Sequence, residues 1–409
     1  MEFKSEKLDN GLAVIGEVNK SAKSAAVGFF VKTGARDETQ SISGVSHFLE
    51  HMLFKGTGTL TALEVNEAFD KTGAQFNAFT SEENTVYYAA VLPEYLAEVT
   101  RLWAELMRPA LRDEDFTIEK NVIKEEIAMY KDLPNFDVME RCRTLYFDGH
   151  PCGNSVLGSE ESIDGLTAGQ MRGYFETRYA PNNMALACAG DFDWEQILAI
   201  AADSCAAWRK QDVQRTLDHS EGSGRKERVG KPNLVREHVC LMSAGVSARD
   251  PRRFAASLLG MIIGDDVGSR FFWELVDKAL AESATMQFGA MDGTGAFCSY
   301  IRCSSENVKK VLDIVRAVFD DLAGNGIREE ELRTAKNKVL SALVLKNELP
   351  MGRLVDLGFN WIYLEQYLTI EDDVNAIKAV TVDEVHALIE QFDPRHFTEF
   401  CLGPARDSQ

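Results

Sequence analysis

The segment LPEYLAEVTRLWAELMRPALRDEDFTIEKNVIKEEI, residues 92–127, decides the fold because its pattern recurs in the second half of the chain. At an offset of 216 residues it overlaps KKVLDIVRAVFDDLAGNGIREEELRTAKNKVLSALV, residues 309–344, with Leu96 on Leu312. Each copy predicts an amphipathic helix, a break at a turn signal and a second long helix. The recurrence indicates a duplicated chain.

Short β-rich runs accompany the helices in both halves. LAVIGEV, AAVGFFVKTGA, TVYYAAVL and MALACAGDF lie in the first half, and HVCLMSAGV and CSYIRCS in the second. We therefore predict an α+β protein built from two duplicated α/β sandwich domains, each a mostly antiparallel sheet packed with helices. The polar stretch DHSEGSGRKERVGKPN, residues 218–233, predicts a linker, and even a hinge, between domains at residues 1–217 and 234–409.

Composition narrows the range of partners and locations. The 409 residues carry a net charge of −20, which argues against nucleic acid or an anionic membrane as the main partner. The sequence has no apolar run long enough for a membrane span and no visible signal or transit peptide, so we expect a cytoplasmic protein. The eight scattered cysteines predict reduced thiols.

The stretch GVSHFLEHMLFKGT, residues 44–57, predicts a metal-binding helix. His47 and His51 lie four residues apart and share one helical face, where their imidazoles can bind one zinc ion. Glu50 projects beside the ion and could take a proton from water, as in the His-x-x-Glu-His signature. The alternative is the polar face of an ordinary amphipathic helix. The apolar surroundings of both histidines favour the metal, because burying them without a partner is costly.

A third ligand must come from elsewhere, and DEDFTIEKNVIKEEIAM, residues 113–129, offers candidates. Glu119 and Glu126 are seven residues apart on one helical face, whereas Glu125 points about 100° away. Either member of the pair could bind zinc while the other holds a ligand or water. At the 216-residue offset, residues 263–267 replace the histidine motif and Ala342 replaces Glu126. The chemistry therefore belongs to the first half.

Five segments in order resemble one known family. They are GVSHFLEHMLFKGT, GAQFNAFTSEENTVYY, IEKNVIKEEIAMYKD, HPCGNSVLGSEESIDGLT and YAPNNMALACAGDFD. Together they resemble the pitrilysin/insulinase family of zinc peptidases (inverzincins) over nearly the whole chain. The chain is most similar to the half-length branch, which includes the β subunit of mitochondrial processing peptidase and bacterial processing-peptidase-like proteins.

The resemblance implies roles for individual residues. His47, His51 and Glu126 would hold one Zn²⁺ per chain, Glu50 would be the catalytic base, and Glu119 its supporting acid. A peptide substrate would add as a strand to an edge strand. That strand would comprise Gln75, Phe76, Asn77, Ala78, Phe79 and Thr80, with Asn77 and Ala78 nearest the scissile bond. The alternative for these six residues is an ordinary strand and turn.

The second half departs from the family pattern in GSRFFWELVDKALAESATMQF, residues 268–288. Active members carry an Arg and a Tyr here that steady the substrate and the oxyanion. This chain has Val276 where the Arg is expected and Glu282 or Ser283 where the Tyr is expected. A valine offers no donor to a developing oxyanion, and Arg270 is a poor substitute by position.

Together with the resemblance, these features imply a zinc endopeptidase that cleaves small or unfolded peptides in a chamber formed by two chains. The second, homologous chain would be a heterodimer partner that carries the Arg/Tyr pair, with a homodimer left open. One alternative is a non-catalytic structural subunit of the same fold, like the core proteins of the respiratory bc1 complex. Another is a maturase that processes one dedicated leader peptide.

Overall fold

The structure, a computed structural model, describes residues 1–405 and consists of two compact units. Unit 1 comprises residues 1–128, 154–215 and 343–370, and unit 2 comprises residues 129–153, 216–342 and the chain from residue 371 on. Each unit contains one β-sheet with helices packed against it. Each unit also draws on both halves of the sequence.

The strands and helices are numbered along the chain. The strands are β1 (Glu2–Lys7), β2 (Ala13–Val18), β3 (Ala25–Val31), β4 (Gln75–Thr80), β5 (Thr85–Val91), β6 (Met184–Gly190), β7 (Lys226–Lys231), β8 (Arg236–Ala244), β9 (Ala281–Ala290), β10 (Gly295–Ser304) and β11 (Phe397–Pro404). The helices are α1 (Val45–Leu53), α2 (Ala62–Thr72), α3 (Leu96–Leu106), α4 (Asp113–Lys131), α5 (Pro134–Tyr146), α6 (Glu160–Gly165), α7 (Ala168–Arg178), α8 (Trp194–Cys205), α9 (Arg253–Gly264), α10 (Val308–Asn325), α11 (Glu329–Asn347), α12 (Pro350–Leu364), α13 (Ile370–Ala379) and α14 (Val382–Gln391).

The sheet of unit 1 has six strands in the order β1-β2-β6-β3-β5-β4. The β2–β6 pair is parallel and the other pairs are antiparallel. Strand β4 is an edge strand, paired on one side to β5 with Ala78 opposite Tyr87. An edge strand presents backbone N–H and C=O groups along its other side, where an extended chain can pair with them.

Both faces of this sheet are covered. On one face, a large core that includes Phe29, Phe48, Trp103 and Leu186 packs the sheet against α1 and α3. On the other, α12 buries leucines against a surface of small residues and Phe30. Gly358 allows this close approach, because a Cβ there would lie 2.3 Å from the Phe30 ring. Fully burying each large apolar side chain contributes roughly 1.5–3 kcal/mol, so both layers matter to stability.

A buried ion pair fixes α12 to the sheet of unit 1. The Arg353 guanidinium donates to Glu17 Oε1 from Nε (2.9 Å) and to Oε2 from Nη2 (2.6 Å). The Tyr367 hydroxyl donates to the same Oε2 at 2.7 Å. Glu17 is 2% exposed and Arg353 is 3% exposed. Such a buried pair requires both partners, because removing one leaves an uncompensated charge.

The sheet of unit 2 repeats that of unit 1 without the first strand. Its order is β7-β11-β8-β10-β9, with one parallel pair, β7–β11, in the position of β2–β6. Helix α5 packs on β8 and β11, where Val138 and Cys142 contact a core containing Cys240 and Phe400. The segment before β9 contains a π-helical turn, Phe272–Val276.

The predicted fold class and the duplication agree with this architecture. Helices α4 and α11 are 216 residues apart at both ends, and α5 and α12 both begin with a proline, Pro134 and Pro350. Two sheets packed with helices confirm the α+β expectation. Each sheet, however, is covered by a helix from the opposite half: α12 in unit 1 and α5 in unit 2.

Because of this exchange, the two units do not coincide with the predicted domains at residues 1–217 and 234–409. The periodicity of α5 and α12 shows that each has an apolar face, but not which sheet that face will cover. The stretch 218–233, predicted as a linker, includes strand β7, which pairs with β11. Its polar composition reflects the solvent-exposed side of an edge strand.

Two further expectations concern the chain as a whole. Among residues 1–405, no helix combines the length and the apolar character that a membrane crossing needs. All eight cysteines are free thiols, and seven of them are buried. Their distribution fits the prediction of reduced thiols.

Candidate metal centre

Helix α1 brings the histidine motif to the side of β4. Phe48, Leu49 and Met52 are buried in the core of unit 1, and this anchors the helix. The helix begins after Gly44, whose φ of 92° lies in the left-handed region. A Cβ at Gly44 would lie 2.6 Å from the carbonyl oxygen of Leu157, so glycine is required there on both counts.

Glu38 closes the N-terminus of α1. Its carboxyl oxygens accept hydrogen bonds from the backbone N–H groups of Gly44 (2.6 Å) and Ser46 (2.7 Å). These donors would otherwise lack partners at the start of the helix. Burial raises the pKa of Glu38 to about 8, although the two backbone donors act to lower it. The fold therefore favours the uncharged carboxyl group.

The shifted pKa of Glu38 predicts a pH-dependent stability. The folded pKa of about 8 exceeds the ordinary value of 4.5, so the contribution is complete below pH 4.5 and is lost as the pH rises through 8. Relative to Glu38→Gln, the free energy of unfolding of the wild type should fall by up to about 1.4 kcal/mol per pH unit across this range. Urea denaturation of both proteins at several pH values measures this difference. Parallel pH profiles would contradict the assignment.

Helix α4 provides the third potential ligand. The Oε2 atom of Glu126 lies 3.7 Å from His47 Nε2 and 3.4 Å from His51 Nε2. One ligand atom from each of these residues lies within 4.8 Å of the others. The two imidazole rings are 4.7 Å apart between centroids. The structure thus brings together the three residues predicted as zinc ligands.

Burial and neighbouring charges set the protonation of the two histidines differently. Burial, with a smaller contribution from the nearby His51, lowers the pKa of His47 to about 3, so the His47 ring is neutral. Burial also acts to lower the pKa of His51, but the hydrogen bond to Glu119 and the charge of Glu126 outweigh it and raise that pKa. Both rings direct Nε2 toward Glu126.

Glu119, predicted as a supporting acid, contacts the predicted ligand His51 on the Nδ1 side of its ring. Its Oε1 lies 2.8 Å from His51 Nδ1, and its Oε2 pairs with the Lys55 ammonium at 2.5 Å. Burial acts to raise the pKa of Glu119, but the hydrogen bonds from His51 and Lys55 hold it below its usual range. A carboxylate on the outer nitrogen of a ligand histidine orients the ring toward a metal.

Glu50, within the histidine motif, contacts the edge strand β4. The Thr80 hydroxyl donates to Glu50 Oε2 at 2.6 Å. Burial raises the pKa of Glu50, which the hydrogen bond from Thr80 partly offsets. The residue expected to act as the base is therefore held beside β4 by a side chain of β4 itself.

The six residues predicted to bind substrate form β4. Their side chains alternate between the two faces of the sheet. Phe76 stacks on Phe69 of α2 (4.0 Å between centroids), whereas Phe79 contacts Phe359 of α12. Gln75 and Asn77 are exposed, and Ala78 is buried. The strand thus packs its two phenylalanines against neighbouring helices and leaves the Gln75 and Asn77 side chains exposed.

A buried charge network behind the β4–β5 turn was missed by sequence reasoning. Arg36 pairs with Glu83 in that turn, and the Tyr363 hydroxyl of α12 donates to Glu83 Oε2 at 2.7 Å. Next to it, Asp37 binds both Arg178 (2.7 Å) and Arg215 (2.6 Å). The charged run at residues 36–38, which follows the wholly apolar strand β3, is the sequence signal that could have revealed this network.

The second half contains no comparable ligand set at the equivalent positions. Ile263 is buried in α9, and a Cβ at Gly264 would lie 2.0 Å from the Met286 backbone nitrogen. Helix α9 therefore packs directly on β9, where unit 1 has the Glu50–Thr80 contact. Val276 ends the π-helical turn, and Glu282 on β9 is exposed and paired with two arginines.

Comparison with known proteins connects this geometry to a family. A family model described as "Insulinase (Peptidase family M16)" matches residues 13–160, and one described as "Peptidase M16 inactive domain" matches residues 165–339. The chain belongs to the M16 peptidase family. The resemblance inferred from the five sequence segments is thereby confirmed.

Relatives of similar length place the chain in the half-length branch of the M16 family. An uncharacterized zinc protease of Mycobacterium leprae is 31% identical over 97% of this chain and 91% of that protein. One from Bacillus subtilis is 29% identical over 97% of both. A crystal structure of a protease from Helicobacter pylori has a similar fold, with a TM-score of 0.90 and 22% identity over 98% of this chain and 99% of that one.

Proposed function

We propose that the chain is a zinc-dependent endopeptidase that cleaves small or unfolded peptides. The observation that carries this proposal is the convergence of His47, His51 and Glu126 beside Glu50 at the edge of a sheet. Membership of a family that includes zinc proteases supports it.

The donor set suits zinc. Two imidazole nitrogens and one carboxylate oxygen are typical of catalytic zinc sites, which keep a fourth position open. When bound, zinc supplies Lewis-acid chemistry, because it polarises a carbonyl group and acidifies water. His47, His51 and Glu126 would hold the ion, and Glu119 would keep the His51 ring in place.

The residues of the chain itself perform the remaining tasks. Glu50 accepts a proton from the attacking water and delivers it to the leaving amine. The Thr80 hydroxyl donates to Oε2 of Glu50, so Oε1 would be the oxygen that takes the proton. The free edge of β4 binds the peptide as an added strand, so main-chain hydrogen bonds place the scissile bond beside the base.

A second chain completes the proposed enzyme. This chain has Val276 where the family resemblance leads us to expect an Arg, and Glu282 or Ser283 where it leads us to expect a Tyr. A valine donates no hydrogen bond to an oxyanion, so this role needs another source. We propose a heterodimer with a homologous chain that supplies the pair; a homodimer is the alternative.

Metal content and peptide cleavage, measured on one preparation, test the proposal. We expect the wild-type chain to bind about one zinc per chain and, with its partner present, to cleave a quenched peptide library. Glu126→Gln should lose both properties, because only two protein ligands remain. Glu125→Gln is the matched control, since Glu125 is exposed and adjacent in sequence. A wild type without stoichiometric zinc would favour the structural-subunit alternative.

A dedicated leader-peptide maturase shares this chemistry and differs only in substrate range. Cleavage of one cognate leader with no cleavage of the library would identify that alternative. Zinc binding with no cleavage by the isolated chain would instead direct attention to the partner. These outcomes distinguish a failure to bind zinc from a difference in the peptides that are cleaved.

A further inference from the structure

Five side chains from two segments of unit 1 form a series of contacts in which the two segments alternate. His47, His51 and Lys55 are spaced by four residues on and just beyond α1, and Glu119 and Glu126 are spaced by seven on α4. Glu126 lies between the two histidines, and Glu119 lies between His51 and Lys55. Basic groups and carboxylates therefore alternate in this series, and the Lys55 ammonium is its last member.

The two glutamates are equivalent by helical periodicity but not by contact. Both oxygens of Glu119 are engaged, Oε1 by His51 Nδ1 and Oε2 by the Lys55 ammonium. Glu126 instead directs Oε2 toward the Nε2 atoms of both histidines, the atoms that would face an ion. The two carboxylates therefore differ in one respect that involves Lys55: its ammonium group contacts Glu119.

We propose that Lys55 is a positioning residue that assigns the roles of the two glutamates. By holding Oε2 of Glu119, it keeps that carboxylate on Nδ1 of His51 and away from the ion. Of these two carboxylates, Glu126 is then the one left to act as a ligand. This inference rests on the zinc site of the proposed function.

Burial makes the contact with Lys55 important. The side chain of Glu119 is 3% exposed, whereas that of Lys55 is one-third exposed. Without the ammonium, Glu119 would be a buried anion with a free oxygen, and it would compete with Glu126 for any nearby cation. Losing the outer partner of a ligand histidine typically weakens metal binding 10- to 100-fold.

Two simpler roles for Lys55 predict different results. If Lys55 acted only through its charge, removing it would strengthen zinc binding, because a cation near a dication is repulsive. If Lys55 only filled space, methionine would replace it without effect. The direction of the change in zinc affinity therefore distinguishes positioning from both roles.

A double-mutant cycle on the full-length protein tests the proposal. The zinc dissociation constant is measured by competition with a chromophoric chelator at fixed pH and ionic strength. We expect Lys55→Met and Lys55→Gln to bind zinc about tenfold more weakly. Lys55→Arg should stay within about threefold of the wild type, because it keeps the ion pair. Lys71→Met, at an exposed lysine of α2, is the control.

The coupling with Glu119 provides the decisive comparison. If Lys55 acts through Glu119, adding Lys55→Met to Glu119→Gln should cause no further loss of affinity. Additive losses, or unchanged or tighter binding by both Lys55→Met and Lys55→Gln, would overturn the proposal. The two substitutions are tested separately so that misfolding of one does not decide the result.

The same titrations separate this inference from the proposed function. If the wild type binds no zinc, both fail. If the wild type binds zinc and the Lys55 variants bind it equally well, only the role of Lys55 fails. Peptidase activity is not needed for either conclusion.

Discussion

Glu50→Gln is expected to lower the rate of peptide cleavage at least 100-fold while zinc content stays at the wild-type level. Glutamine has nearly the same shape as Glu50 and can still accept the Thr80 hydrogen bond, but it cannot take a proton from water. General acid–base groups contribute about 10²- to 10⁴-fold to catalysis. The measurement is kcat on a quenched peptide with the proposed partner chain present, and zinc is counted on the same samples.

The control for Glu50→Gln is Glu67→Gln on α2, an exposed glutamate that should leave the rate unchanged. A variant that retained more than a tenth of the wild-type rate would show that another group moves the proton. Loss of both zinc and activity would mean that Glu50 holds the ion instead of acting as the base. Measuring rate and zinc content together thus distinguishes Glu50 as the base from Glu50 as a zinc ligand.

Arg353→Met is expected to lower the free energy of unfolding by about 3–5 kcal/mol. The substitution leaves the Glu17 carboxylate buried beneath α12 without its cation. Tyr367 would remain as a hydrogen-bond donor, but a hydroxyl does not neutralise a buried charge. Urea denaturation followed by circular dichroism measures the effect.

The double variant Glu17→Gln/Arg353→Met should recover much of that stability, because no unpaired charge remains. Arg395→Met provides the comparison at the surface, where Arg395 pairs with Asp393 and less than about 1 kcal/mol is at stake. A loss of under 1 kcal/mol for Arg353→Met would show that water or local rearrangement compensates Glu17. The contrast between the two arginines isolates the effect of burial.

The duplication could be predicted from the sequence because long helices leave a strong periodic pattern. The segments that become α3 and α10 keep apolar residues in register, with Leu96 on Leu312, Val99 on Val315 and Leu106 on Leu322. The exchange of α5 and α12 between units left no such trace, since periodicity records only that a helix has an apolar face. The polar composition of residues 218–233 likewise concealed β7 at an exposed sheet edge.

At the site, the spacing of residues within one helix could be predicted from the sequence, but the contacts between distant segments could not. The four-residue spacing of His47 and His51 predicted a shared face, and the structure places both beside Glu126. Helical periodicity left Glu119 and Glu126 equivalent, and the resemblance chose between them. The contacts of Lys55 and Thr80 depend on neighbours far away in the sequence, which a single sequence does not reveal.

The exchange of α5 and α12 has a consequence for how the protein is made. The first sheet is exposed on one face until residues 350–364 leave the ribosome, long after its own strands have been synthesised. Apolar residues such as Ile15 and Phe30 stay uncovered during that interval, which is when a nascent chain is most prone to aggregate. A gene cut between the halves would yield two fragments, each lacking the helix that covers its sheet. The duplicated halves have thus become mutually dependent, and neither can revert to an independent domain.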